Sequence, residues 1–144
     1  MFLARARLLR KIDADRVHRA IAGAEHLTSE RIHVTLAPFF WGDVRRAAER
    51  AFTRLGRRGV LFFLVPARHK FAVLGDEEIH AKVGQEFWHD VTAAVAERFR
   101  AGDFTGGLVH GIETVGRELA PVLPYDAAQA EESGGEPPDD IDVE

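Results

Sequence analysis

A glycine and three consecutive acids, Gly75-Asp76-Glu77-Glu78, stand where an apolar run ends, and His80 follows four residues after Asp76. Clustered carboxylates are the oxygen ligands that calcium and magnesium prefer. With Glu30 they give four metal candidates: Asp76, Glu77, Glu78 and Glu30. The same acids suit the first turn of a helix, where the dipole favours negative charge and Asp is a good N-cap. The pattern alone leaves both readings open. His80 shares a helical face with Asp76, but His89 is too far along the chain to complete a zinc pattern. Arg57, Arg58, Arg68 and Lys70 are the anion-binding candidates. A phosphate-ester hydrolase would use Asp76 with its neighbouring acids, and Arg57 or Arg68 as the positive clamp. Asp76 and Arg57 are therefore the catalytic candidates. A chain with no cysteine, no G-x-S-x-G, no P-loop and no dinucleotide fingerprint has no thiol, serine-elbow or nucleotide-motif chemistry to offer.

The elements that must position these residues are legible. Val17, Ala20, Ile21, Ala24 and Leu27 recur at helical spacing after Asp13 and Asp15, which predicts a helix over about 13–27. In "ERIHVTLAP", Ile32, Val34 and Leu36 alternate with His33 and Thr35, which predicts a half-covered strand ended by Pro38. In "GDVRRAAERAFTRLG", Asp43 is the expected N-cap and Gly56 the stop. "GVLFFLVP" is apolar throughout, as a strand covered on both faces must be. "ARH" then leads to "KFAVLG", a link too short for a crossover, so these two strands form an antiparallel hairpin. Helices follow over about 76–82 and 85–100, and a last one starts at Asp103 and ends at Pro121 and Pro124. Gly107 and Gly111, one turn apart, let that last helix approach a neighbour closely.

The order αβαββααα predicts an α/β fold, a three-layer αβα sandwich around a small mixed sheet. The first two strands run parallel and the third runs back. Its end, Gly75-Asp76, then lies beside the starts of the first two, near Ser29-Glu30 and Arg57-Arg58-Gly59. The acids of "GDEE" should therefore face Arg57 and Arg58. The opposite edge carries Phe39, Phe40, Trp41, Gly42 and Asp43 beside Arg68, His69 and Lys70. Carboxyl ends of parallel strands are where such sheets hold ligands, and this edge suits an anion.

Composition sets the outer limits. No apolar run approaches the roughly 18 residues that span a bilayer. Residues 126–144 hold eight acids and no Lys or Arg, so 19 basic groups stand against 15 acids in the remainder. Three regions are expected: a basic N-terminal extension over 1–12, a folded domain over 13–124 and a disordered acidic tail over 125–144. Residues 1–12 place Arg5, Arg7, Arg10 and Lys11 beside Phe2, Leu3, Leu8, Leu9 and Ile12, which suits contact with an anionic membrane surface. No RNA-binding aromatic pair lies in a basic strand, so nucleic acid is not an expected partner. The partner expected is an unidentified protein or small molecule, and a signal peptide is not evident, which places the protein in the cytoplasm.

"GVLFFLVPARHKFAVLGDEEIHAKVGQEFWHDV" followed by "FRAGDFTGGLVHGIETVGREL" resembles the TPM domain family, which includes thylakoid-lumen proteins linked to photosystem II repair. "IAGAEHLTSERIHV" is similar to the family's opening helix and first strand, and the likeness runs over about 13–124. The resemblance implies the αβα sandwich. It also implies two activities: acid phosphatase activity, as in some plant members, and calcium or magnesium binding, as in some bacterial ones. Relatives often have Asn or Asp where this chain has Arg58, and Gly where it has Glu78. The first change replaces an oxygen ligand with a cation. The function expected is that of a small TPM-type binding or accessory module, with a divalent cation or an anion as ligand; the alternative is a weak acid phosphatase.

Overall fold

The computed structural model describes residues 2–128 and 141–144. Among them, helices α1 (Phe2–Leu9), α2 (Ala14–Glu25), α3 (Val44–Arg54), α4 (Glu77–Lys82), α5 (Gln85–Phe99) and α6 (Phe104–Leu119) surround strands β1 (Ile32–Leu36), β2 (Val60–Val65), β3 (Lys70–Gly75) and β4 (Ile141–Val143). Four aspartates start four helices. Asp13, Asp43, Asp76 and Asp103 each accept a hydrogen bond from the backbone N–H three residues on, which satisfies a donor that the first helical turn leaves open. At Asp43 the Arg46 N–H holds the carboxyl below its usual range.

The sheet has the order β3-β2-β1-β4. β1 and β2 are parallel with Ile32 opposite Val60, and β2 and β3 are antiparallel with Val60 opposite Gly75. A 3-10 turn, Pro66–Arg68, closes the hairpin, with His69 left-handed at φ 49°. Each strand sends alternate residues to opposite faces. Val34, Leu36, Phe62 and Leu64 join the core formed with α2, α5 and α6. Leu61, Phe63 and Val65 join the core formed with α3. The result is the expected three-layer α/β sandwich. Every side chain of β2 is fully buried, and each large apolar one contributes about 1.5–3 kcal/mol on leaving water. Gly107 and Gly111 do admit a neighbour. A Cβ on Gly111 would stand 2.4 Å from Val95 Cγ2, and one on Gly107 2.9 Å from the Val95 carbonyl.

Two expectations change. β1 is not half-covered, because His33 and Thr35 are buried together with the apolar residues of the strand. They lie opposite Leu61 and Phe63, on the face that α3 covers. The acidic tail also does not remain outside the fold to its end. Residues 129–140 lie outside the described residues, but Ile141–Val143 form β4, a parallel edge strand beside β1. Val143 is buried, Glu144 N–H donates to Leu36 O at 2.9 Å, and Glu144 pairs with Arg54. Composition hides this. The tail averages as polar, yet "IDVE" alternates apolar and acidic residues, which suits an edge strand with one side on the core.

Thr35 makes one prediction. Its hydroxyl is buried and has no hydrogen-bond partner among the described residues. An unsatisfied buried hydroxyl costs about 1–3 kcal/mol. Thr35→Val is expected to stabilise the fold by ~1 kcal/mol, raising Tm by ~2–4 °C in thermal unfolding. A lower Tm would mean that the hydroxyl is satisfied.

Candidate functional site

The candidate site is built on the turn between α3 and β2. Gly56, Arg57 and Gly59 all have positive φ, at 83°, 53° and 80°. This turn brings the Gly59 backbone against Arg31 on one side and Asp76 on the other. Gly59 N–H donates to Asp76 Oδ2 at 2.8 Å, and Gly59 O accepts from Asp76 N–H at 3.1 Å. Asp76 Oδ1 accepts from Ile79 N–H at 2.9 Å. One carboxylate therefore joins the start of β2 to the start of α4. A bare Cα at position 59 permits the approach, since a Cβ there would lie 2.2 Å from the Arg31 carbonyl oxygen.

Around this staple lies a cleft of about 410 Å³, with Arg45, Arg57, Arg58, Glu77, Glu78 and His80 among its walls. The strand directions thus bring the "GDEE" acids to Arg57 and Arg58. Arg57, however, is already engaged. Its guanidinium donates to Glu49 Oε2 at 3.0 Å and stands 5.1 Å over the Phe52 ring. The His80 ring lies 4.8 Å from Trp88, and the Trp88 ring fills the space beside Gly75 that a side chain would need. Arg45 and Glu49 escaped the sequence reading. They sit one turn apart on α3, and nothing local says that this polar stripe overhangs the start of β2.

Glu30 lies close enough to feel the cluster. Burial raises its pKa from the ordinary 4.5, and the charges of Asp76 and Glu78 raise it further; the Ser29 hydroxyl and Arg58 pull it back less. Among the described residues, no three His, Asp, Glu or Cys side chains converge closely enough to chelate a metal ion. Asp76, Glu77, Glu78 and Glu30 are therefore neighbours without forming a ligand cage. Glu30 holds its proton more tightly in the fold than in the unfolded chain, so its own contribution to stability is lost as pH rises from about 4.5 through the raised value in the fold. Glu30→Gln is expected to be more stable than the parent at neutral pH, with the difference closing as pH falls towards that value. Urea unfolding at several pH values measures this, and a difference independent of pH would contradict it.

The opposite edge is organised differently. Arg68 Nη1 donates to the carbonyls of Phe40 and Gly42, at 3.0 and 2.8 Å, and its Cζ lies 5.4 Å from the Phe40 ring centroid. Arg68 thus ties the 39–42 loop to the hairpin. Lys70 is exposed at the start of β3. Phe39 and Trp41 pack edge to face with centroids 4.7 Å apart, and Trp41 remains 89% exposed. At the N-terminus, Ile12 is buried and Leu8 packs on the core, whereas Leu3 and Leu9 face solvent. Among the described residues no helix is long and apolar enough to cross a membrane.

The family model for the TPM domain matches residues 3–118. The chain belongs to the TPM domain family. Its fold is similar to the solution structure of the BA42 protein from the psychrophilic bacterium Bizionia argentinensis, with 30% identity and a TM-score of 0.80 over 92% of this chain and 95% of that one. It is also similar to the N-terminal domain of the cg2496 protein from Corynebacterium glutamicum, with 17% identity and a TM-score of 0.62 over 72% of this chain and 69% of that one, a likeness of fold alone. No curated protein matches the chain. The TPM match begins inside α1, so the basic extension expected over 1–12 overlaps the matched region.

Proposed function

We propose that this TPM domain works as a binding or accessory module, and that its cleft at the strand starts takes a charged ligand. The observation that carries this reading is the double engagement of Asp76. Both of its oxygens accept backbone N–H groups, from Gly59 and Ile79. A carboxylate held this way joins two elements, and each oxygen keeps only one further lone-pair site beyond its backbone bond. Arg57 is likewise occupied by Glu49 and Phe52, which weakens it as a phosphate clamp. Glu77 and Glu78 in the cleft wall, with Glu30 within electrostatic reach of Glu78, support a divalent cation such as calcium or magnesium, against the opposing charge of Arg45 and Arg58. With no three-ligand cage among the described residues, such an ion keeps most of its water, or a protein partner completes its shell.

The experiment pairs thermal unfolding, with calcium, magnesium or chelator, with hydrolysis of a generic phosphate ester across acidic pH. The expected result is no turnover, and a rise in Tm with cation that chelator reverses and Glu78→Gln removes. Turnover that follows the protein through purification would establish the phosphatase reading instead. An unchanged Tm would remove the cation from the proposal.

A further inference from the structure

The free edge of the sheet at β3 is built to accept one more strand, and we propose that it binds an extended segment of a partner protein in which apolar and acidic residues alternate. This inference concerns the open β3 edge rather than the charged cleft at the strand starts, although Arg45 borders both. Among the described residues β3 pairs with β2 alone. Which of its backbone groups face outward follows from the hydrogen bonds around β2. Val60 N–H donates to Arg31 O and Leu64 O accepts from Ala37 N–H, so Val60, Phe62 and Leu64 address β1. Leu61, Phe63 and Val65 then address β3, where they face Leu74, Ala72 and Lys70. The Gly59–Asp76 hydrogen bond has the same parity. In an antiparallel pair the alternate residues point away, so Phe71 and Val73 present both N–H and C=O to the open side. Such a row of unpaired groups is a template for strand addition.

The edge opens into a groove of about 420 Å³ between α3 and α5. One wall is an apolar shelf of Phe71, Ala96 and Phe99, and the other carries Arg45 from α3. Arg100 and His69 also line it, and among the described residues no Asp or Glu does. A strand laid along Phe71–Val73 would send alternate side chains to the shelf and to Arg45. Apolar residues suit the first position and carboxylates the second. The other edge of the same sheet already holds a strand of this chemistry. There "IDVE" pairs with β1, buries Val143 and sets Glu144 against Arg54. Arg45 and Arg54 both belong to α3.

The test is an amide-resolved NMR titration of the full chain with an eight-residue peptide of alternating aspartate and valine, blocked at both ends. The expected result is saturable shifts centred on the amides of Phe71 and Val73. Affinity should fall at least tenfold in R45E/R100E, and again on raising salt. Val73→Pro, which removes an outward N–H and no bond to β2, should also abolish binding. If Val73→Pro fails to fold, R45E/R100E decides the matter. The proposal is overturned by an absence of shifts at millimolar peptide, by shifts confined to the β1–β4 edge, or by equal binding of an alternating lysine-valine peptide. Concentration-dependent dimerisation through Phe71 and Val73 without peptide would also overturn it, since the occupant would then be a second copy of the chain.

Discussion

Gly59→Ala is expected to destabilise the fold by ~3 kcal/mol or more. Two costs combine at this position. The residue has φ +80°, where an L side chain costs roughly 1–2 kcal/mol. The new methyl would also stand 2.2 Å from Arg31 O. That oxygen is not free to retreat, because it accepts the Val60 N–H at 2.9 Å and so opens the parallel β1–β2 ladder. Gly56→Ala supplies the control. It has almost the same φ, +83°, with nothing within 4 Å of a built Cβ, so it should cost only the conformational part, ~1 kcal/mol. Urea unfolding of both variants separates the two costs. Equal losses would mean that the Gly59 turn relaxes without disturbing β1.

Asp76→Ala is expected to cost ~2–4 kcal/mol. Removing an N-cap costs about 1 kcal/mol, and leaving the half-buried Gly59 N–H without its partner adds about 1–3 kcal/mol. Asp76→Ser divides these contributions. A serine hydroxyl still caps α4, but it is too short to serve Gly59 as well, so about half of the loss should return. Chemical unfolding measures both variants. A loss of only ~1 kcal/mol in Asp76→Ala would show that the bond to Gly59 contributes little, and would free that oxygen for a ligand. The effects of Gly59→Ala and Asp76→Ala should fall short of additive, since the two residues share hydrogen bonds.

The alternation in β1, the unbroken apolar run of β2 and the stripe on α2 are patterns of neighbouring residues, and each strand or helix needs its pattern to reach a core. The aspartate caps are local in the same way, because cap and donor are three residues apart. The meeting of "GDEE" with Arg57 and Arg58 follows from one further step, the directions of three strands, and both sets of residues do line one cleft.

Beyond that step the sequence by itself determined little, and the reason is distance along the chain. It specified the TPM fold, its layers, its caps and the corner of the sheet where the charges meet. Only the tertiary structure decided what each charge does there. Asp76 is held by a glycine 17 positions away, Arg57 is taken by Glu49, and Arg68 is spent on two loop carbonyls. A charged side chain is claimed by whichever partner the packing brings within about 3 Å, and no local pattern records that competition. The same holds for β4. Three residues of an acidic tail become a strand because β1 offers an open edge and Arg54 a counter-charge, and neither is written in the tail.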